Sequence, residues 1–264
     1  MPEKSKKNII VMAGTKDAAR IINKLNKTGN FKILATTTTE YGADIAKSAG
    51  AHKVLSCKLE ENELIELIKK KKIEVLIDAT HPFAINATKN AINASKSADI
   101  NYIRFERPQM ELPESNLIYK AFSFKEAALK VNELTKGRVM HLAGVSTLKP
   151  VIEKVDSNRL FARVLPSLDS IQKCLDLGLK QGNIIAMQGT FSKDFNKALM
   201  REYNISLIIT KESGDTGGTP SKLDAAVELG ITIVLVTRPE VLELKDNDIF
   251  VDIDKLCYNM LNMP

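Results

Sequence analysis

Short apolar runs of strand length alternate along the chain with longer segments in which apolar residues recur at helical spacing. In the first half, the runs predict strands at 8–13, 31–36, 53–55, 75–79 and 102–105. The segments between them predict helices at 17–26, 42–49, 61–71 and 85–97. Such alternation is typical of a parallel sheet with helices on both of its faces.

Residues 107–116 interrupt this alternation with two prolines, mixed charge and no apolar period, which indicates a linker. The pattern then resumes, with predicted strands at 117–121, 138–143, 160–165, 183–187, 207–210 and 232–236. Helices are predicted at 125–135, 169–177, 193–202 and 222–229, and a closing helix at 253–263. We therefore predict an α/β protein of two Rossmann-like domains with parallel sheets, spanning 1–112 and 113–264. A ligand cleft is expected between such domains.

The charge balance restricts the class of ligand. Of 264 residues, 38 are Lys or Arg and 32 are Asp or Glu, which leaves a formal net charge of +6. A nucleic-acid-binding protein gathers such charge on one face and interleaves aromatic side chains that stack on bases. Here only 5% of residues are aromatic, tryptophan is absent and the lysines are spread along the chain. We predict a small anionic ligand and no nucleic-acid partner.

Cysteine usage and the first residues indicate the compartment. Cys57, Cys174 and Cys257 lie far apart in no metal-ligand spacing, so we predict a reducing compartment and no metal site. Residues 1–7 are charged and lack the apolar core of a signal peptide, and no apolar run is long enough to span a bilayer. These features predict a cytoplasmic protein with no membrane contact; they leave its oligomeric state open.

The turn after the first predicted strand contains Gly14, directly before a predicted helix. A glycine there lets backbone N–H groups approach a pyrophosphate at the positive end of the helix. The full Gly-x-Gly-x-x-Gly pattern is absent, while Ala18 and Ala19 suit close packing of the helix on the sheet. A nucleotide site and a plain turn both remain open on this motif alone.

The second predicted strand ends in four threonines, 36–39, followed by Glu40. In dinucleotide-binding folds this position meets the adenosine ribose. An acid favours the free 2′-hydroxyl of NAD, whereas threonine hydroxyls suit the 2′-phosphate of NADP. The same residues would also serve as caps of the next helix.

The fourth predicted strand runs into Asp78, Thr80 and His81, with Pro82 set to begin the following helix. These polar side chains lie where α/β sheets place their ligands. His81 is the only histidine of the chain in such a position, and a catalytic and a structural role are equally open.

Two arginines, Arg104 and Arg107, flank Glu106 at the end of the fifth predicted strand. Guanidinium groups grip carboxylates through paired N–H donors, so these residues are candidates for substrate binding. A cluster of salt bridges explains the same pattern.

The segment 210–226 is rich in glycine and hydroxyl groups, follows an apolar strand and precedes a predicted helix. Lys211 and Lys222 stand at its two sides. Backbone donors, hydroxyls and two cations together favour an anion-binding loop over a plain flexible one.

Taken in order, these segments resemble the precorrin-6A reductase family of corrin-ring biosynthesis. The matching stretches are GTKDAAR (14–20), DATHPFA (78–84), RFERP (104–108), QGTFS (188–192), TKESGDTGGTPSKLDAA (210–226) and the closing RP (238–239). DATHPFA with RFERP downstream is the specific combination.

The resemblance implies hydride transfer from NADH or NADPH to a double bond of precorrin-6A or its cobalt form, with no protein-bound metal. It implies the cofactor contacts Gly14, Thr15, Asp17, Ala18, Thr37, Thr38, Thr80 and Pro82. Lys16 departs from the family pattern, and its positive charge at the turn adds a further expected contact to the cofactor phosphate. The resemblance further implies His81 and Lys211 as catalytic residues. The implied substrate contacts are Arg104, Arg107, Ser213, Gly214 and Lys222.

Two other functions fit the same pattern. A two-domain tetrapyrrole enzyme resembling uroporphyrinogen-III synthase would need no nicotinamide cofactor. A dinucleotide-sensing module would bind the cofactor without reducing any corrin precursor.

Overall fold

The computed structural model describes residues 6–108, 111–214 and 218–263. Contacts divide the chain into two units. The first contains the described residues up to Pro108 and those from Glu240 onward, and the second contains the described residues between them.

The first unit follows the predicted alternation closely. Its elements are β1 (Lys7–Met12), α1 (Lys16–Lys27), β2 (Phe31–Thr37), α2 (Glu40–Ser48), β3 (Lys53–Ser56), α3 (Glu61–Lys71), β4 (Val75–Asp78), α4 (Ile85–Ser97), β5 (Asn101–Phe105), β12 (Ile249–Phe250) and α10 (Ile253–Asn262). All the strands pair in parallel, in the order β12-β5-β4-β1-β2-β3. The middle of strand β1 is apolar, as a strand covered on both faces requires. Its residues Ile9, Ile10 and Val11 are fully buried.

The second unit repeats the architecture. Its elements are β6 (Ile118–Ala121), α5 (Phe124–Leu134), β7 (Arg138–His141), α6 (Lys149–Ile152), β8 (Leu160–Val164), α7 (Leu168–Asp176), β9 (Ile184–Ala186), α8 (Lys193–Glu202), β10 (Ile205–Lys211), α9 (Thr219–Glu228) and β11 (Thr232–Val236). Its strands are again parallel, in the order β6-β11-β10-β7-β8-β9. The prediction of an α/β fold with two Rossmann-like domains is confirmed.

The predicted extent of the second domain, 113–264, differs from the structure at its end. Residues from Glu240 onward return to the first unit, where β12 pairs with β5 and α10 packs on α1. The apolar residues Leu256, Cys257 and Met260 of α10 join the same core cluster as Ile21 and Leu25 of α1. The two-residue strand β12 was missed because it is too short to produce a pattern, so nothing in the sequence revealed its partner.

Leu256 tests whether α10 is an integral part of the first unit, because its side chain is fully buried. We expect Leu256→Ala to lower the free energy of unfolding by about 2–5 kcal/mol through lost packing and the cavity left behind. Urea denaturation followed by far-ultraviolet circular dichroism measures this change.

Tyr258 lies on the same helix with its side chain 72% exposed, so Tyr258→Ala is the matched control. The control should change the free energy of unfolding by less than about 0.5 kcal/mol. Equal effects of the two substitutions would contradict the packing of α10 described above.

Candidate functional site

The turn between β1 and α1 exposes its backbone. Gly14 is exposed and has φ +112°, a value that side chains disfavour, and a Cβ built there meets nothing within 4 Å. Thr15 caps α1 by accepting a hydrogen bond from the Ala18 amide (3.1 Å) and donates its hydroxyl to the Ala79 carbonyl oxygen (2.9 Å). An open glycine turn at a helix N-terminus has the geometry that favours an anion.

A cavity of about 130 Å³ lies beside this turn, between the first turns of α1 and α2. Its lining includes Gly14, Thr15 and Lys16 on one side and Thr39, Tyr41 and Gly42 on the other. Tyr41 is 62% exposed and was not singled out by the sequence, which offers no spacing that marks it. The cavity is lined by residues at two helix N-termini, an arrangement that suits a phosphate-bearing ligand.

Two of the predicted cofactor residues, Thr37 and Ala18, have structural roles near this cavity. Thr37 is buried and its hydroxyl donates to the Thr39 carbonyl oxygen (3.1 Å), whereas Thr38 is exposed. Ala18 is fully buried in the core beneath α1. Their side chains therefore shape the turns, and the expected contacts at Thr37 and Ala18 are limited to backbone atoms.

Asp17, in the first turn of α1, forms an ion pair with the Nε atom of Arg107. The Asp17 side chain is 7% exposed and that of Arg107 is 13% exposed. The sequence assigned Asp17 to the cofactor and Arg107 to the substrate, but the structure brings the two together. Arg107 compensates the carboxylate, so the N-terminus of α1 keeps its attraction for an anion.

Asp78 and Arg104 form a fully buried ion pair at the carboxyl edge of the sheet, with Oδ1 and Nη1 separated by 2.8 Å. The Thr80 hydroxyl donates to Asp78 Oδ1 (2.6 Å), and Tyr102 donates to Oδ2 (3.1 Å). Burial and the nearby Asp78 charge raise the pKa of Tyr102 far above its usual value. Arg104 is 1% exposed, which does not fit the expected substrate contact. Its Nη1 instead donates a hydrogen bond to the Thr80 hydroxyl oxygen at 3.1 Å and so holds Thr80 in place.

His81 follows this network in the loop between β4 and α4 and is half-buried. Its Nδ1 accepts a hydrogen bond from the Phe83 amide at 3.2 Å, so the neutral ring carries its proton on Nε2. Pro82 is buried, and the rings of His81 and Phe83 lie 5.7 Å apart. The loop therefore holds the imidazole in one orientation, at the edge where ligands bind in this fold.

In the second unit, cationic side chains gather at the carboxyl edge of the sheet. Lys222, on α9, is 7% exposed, and its pKa is lowered to about 7 by burial and by the neighbouring charges of Arg163 and Lys211. Burial also lowers the pKa of Lys211, at the end of β10. Arg163 was missed because it lies within the apolar strand β8, where one charge produces no pattern.

The loop after β10 is built by its own hydroxyl groups. Ser213 is buried, its hydroxyl donates to the Lys211 carbonyl oxygen (3.2 Å), and its amide donates to Thr219 Oγ1 (3.2 Å). Gly214 takes φ +68° and so allows the reversal of the chain. These contacts give Ser213 and Gly214 a structural role; residues 215–217 of the predicted motif lie outside the described residues.

His141, at the end of β7, is fully buried. Burial lowers its pKa to about 4, so the imidazole stays neutral at physiological pH.

Within residues 6–108, 111–214 and 218–263, no group of three or more His, Cys, Asp or Glu side chains is placed to hold a metal. The helices of the same ranges include none long and apolar enough to cross a membrane.

The fold defines a protein of two Rossmann-like units. The Gly14 turn of the first unit, with the cavity beside it, suits a dinucleotide. The model of the precorrin-6x reductase family CbiJ/CobK matches residues 8–258. The cobalt-precorrin-6A reductase of Methanothermobacter thermautotrophicus is 45% identical over 263 residues, which cover 99% of this chain and 86% of that protein. That of Methanocaldococcus jannaschii is 43% identical, over 97% of this chain and 99% of that one.

A solved structure of the precorrin-6A reductase CobK is 20% identical and aligns over 97% of both chains with a TM-score of 0.78, a likeness of fold. The family model and the curated relatives carry the identification. The chain belongs to the precorrin-6x reductase family and is an oxidoreductase of that family. This membership does not fit the alternative of a protein resembling uroporphyrinogen-III synthase.

The Asp78–Arg104 pair should stabilise the loop that carries Thr80 and His81. We expect Arg104→Met to lower the free energy of unfolding by about 3–5 kcal/mol, because it leaves a buried carboxylate uncompensated. The double variant Asp78→Leu/Arg104→Met should be less destabilised than this single variant. Urea denaturation measures both.

Lys89 pairs with Glu243 at an exposed site, so Lys89→Met is the control and should change stability by less than about 1 kcal/mol. A double variant as unstable as Arg104→Met would contradict a dominant charge effect at Asp78.

Proposed function

We propose that this reductase transfers hydride from NADH or NADPH to a carbon–carbon double bond of cobalt-precorrin-6A. The family match over residues 8–258 carries the proposal, and the open glycine turn with its cavity supports a dinucleotide. The cobalt form of the substrate is favoured over the metal-free form because relatives that are 43–45% identical are named cobalt-precorrin-6A reductases.

The proposed cofactor site is the edge of the first unit around α1. Gly14, Thr15 and Lys16 would hold the pyrophosphate, through the backbone of the open turn and the exposed ammonium of Lys16. Thr38 and Tyr41, near the N-terminus of α2, would meet the adenosine ribose. The threonine hydroxyls suit the 2′-phosphate of NADPH, whereas the nearby Glu40 suits the free 2′-hydroxyl of NADH. A comparison of the two affinities therefore decides which cofactor is used.

The nicotinamide end is proposed to lie at Thr80, His81 and Pro82. When bound, the reduced nicotinamide supplies the hydride, and a proton must reach the adjacent ring carbon to complete the reduction. The neutral His81 ring, with Nδ1 accepting from the Phe83 amide, donates a hydrogen bond from Nε2. To supply the proton, His81 would act as the imidazolium, which requires Nδ1 to release the Phe83 amide and take up a proton. The buried Asp78–Arg104 pair acts on this site by holding Thr80 and the start of the loop in place.

On the second unit, Lys211 and Lys222 are proposed to interact with the corrin precursor, a large ring with several carboxylate side chains. Their pKa values are lowered by burial, so each gives up its proton more readily than an exposed lysine. Lys211 is thereby a second candidate for the proton donor. Ser213 and Gly214 would support this site through the shape of their turn. A cytoplasmic location remains part of the proposal.

The test is a titration of the purified full chain with NADH and NADPH, followed by the emission of the reduced nicotinamide. The titration is repeated with a corrin-precursor extract while cofactor oxidation is recorded. We expect binding, and oxidation that depends on the extract. Binding without oxidation would favour the dinucleotide-sensing alternative, and no binding of either nucleotide would overturn the proposal.

Gly14→Val provides the matching variant. A side chain there would block the approach of the pyrophosphate to the backbone and strain φ, so cofactor affinity should fall about tenfold or more. Gly29, at the other end of α1, also has a positive φ (+73°) and open space around a built Cβ. Gly29→Val introduces comparable strain outside the site and should leave the affinity unchanged; an equal loss in both variants would contradict the placement.

A further inference from the structure

Arg163 is a buried guanidinium on the carboxyl-terminal half of β8, 9% exposed. Its Nη1 donates to Asn196 Oδ1 at 3.0 Å, and its Cζ lies 5.0 Å from the centroid of the Phe191 ring. Two partners from different elements thus determine where the guanidinium points. A long side chain held in this way loses little further freedom when it binds a ligand.

The partners of Arg163 are themselves fixed. Asn196 is 1% exposed, and its side-chain amide donates to the Ser192 carbonyl oxygen (2.8 Å) and the Phe191 carbonyl oxygen (3.3 Å). Ser221, on α9, donates to the same Phe191 carbonyl oxygen at 2.8 Å. The Phe191 ring stacks on that of Phe195 with centroids 4.6 Å apart. The loop after β9, α8 and α9 therefore form one support for Arg163.

Two lysines carry charge near Arg163. Lys222 follows Ser221 on α9, and the charges of Arg163 and Lys211 both oppose its protonation. Burial lowers the pKa of Arg163 itself to about 10. Among the residues that the structure describes, Arg163 has no carboxylate within ion-pair distance. A buried guanidinium without such a carboxylate is costly, so an anion that binds Arg163 gains both charge compensation and hydrogen bonds.

We propose that Arg163, together with Lys222, binds a carboxylate side chain of the tetrapyrrole substrate, with Asn196 and Phe191 as positioning residues. The planar fork of a guanidinium matches the two oxygens of a carboxylate, and the neighbouring ammonium adds a point charge. This inference rests on the proposed function for the identity of the ligand, but the carboxylate chemistry is tested without turnover. A phosphate of the cofactor is the other anion that this chemistry would accept.

The experiment measures binding of uroporphyrin, a fluorescent macrocycle with carboxylate side chains, to the full chain and to its Arg163→Met variant. Uroporphyrin affinity should fall about tenfold or more in the variant, since a charge-assisted pair is lost. Arg163→Lys, which keeps the charge but not the fork, should fall in between and covers the case in which Arg163→Met does not fold. NADH and NADPH affinities should remain unchanged.

Arg138 provides the matched control because it also lies over an aromatic ring, 5.5 Å from the Phe161 centroid, at the amino-terminal end of β7. Arg138→Met should leave uroporphyrin affinity unchanged. A folded Arg163→Met with full affinity would overturn the proposal, as would wild-type protein that does not bind uroporphyrin. A loss of NADPH affinity with NADH and uroporphyrin unaffected would assign Arg163 to the 2′-phosphate of the cofactor instead.

These outcomes separate the two proposals. Failure of the wild-type protein to bind either nicotinamide nucleotide would overturn the proposed reduction, while the uroporphyrin series would still report on Arg163. The reverse result, extract-dependent oxidation with Arg163→Met at full uroporphyrin affinity, would leave the reductase proposal standing and remove Arg163 from its substrate site.

Discussion

The pairing of β12 with β5 is the constraint on which the organisation of the chain depends. The chain contributes strands β1–β6 in its first half and β7–β12 in its second half. The two sheets have the same strand order around β1 and β7, but each has an outer strand from the other half, β12 in the first sheet and β6 in the second. β6 follows β5 along the chain but pairs with β11, whereas β12 follows β11 but pairs with β5. Strands β1–β5 therefore need β12 to complete the first sheet, and strands β7–β11 need β6 to complete the second.

The two units differ in how their buried charges are arranged. In the first unit, two carboxylates at the carboxyl edge are each matched by an arginine, in the pairs Asp78–Arg104 and Asp17–Arg107. These pairs hold the segments that bear Thr80 and Gly14 in place. In the second unit the charges of Arg163 and Lys211 both act on Lys222. With Asp17 paired to Arg107, the N-terminus of α1 in the first unit remains suited to an anion. In the second unit, the proposed site around Arg163 also suits an anion.

Much of the fold was predictable because strands buried on both faces are continuously apolar. Helices α3, α4 and α8 coincide with their predicted ranges, since their apolar periods end at clear boundaries. The short elements α6 and β12 were missed, as they are too brief for any period to emerge. The motif containing Gly14 was found from its position after a strand, and its positive φ gives the physical reason for a glycine there.

The partners of charged side chains were not predictable from the sequence, for a reason that Arg104 and Arg163 illustrate. Arg104 stands in a conspicuous charged motif, yet it is buried against Asp78 from a neighbouring strand. Arg163 stands alone in an apolar strand, yet it lies with Asn196 and Lys222 from two helices. A motif shows which chemistry is available in one segment but not which partner another segment supplies.

The amino-acid sequence by itself determined the α/β class, the two Rossmann-like units, the family resemblance and the edges at which chemistry was expected. These properties follow from local periodicity and from motifs contained within single strand–turn–helix segments. Only the tertiary structure decided that residues 240–263 complete the first unit and which buried charges are paired. Those outcomes depend on contacts between residues far apart in the chain, which leave no periodic trace in the sequence.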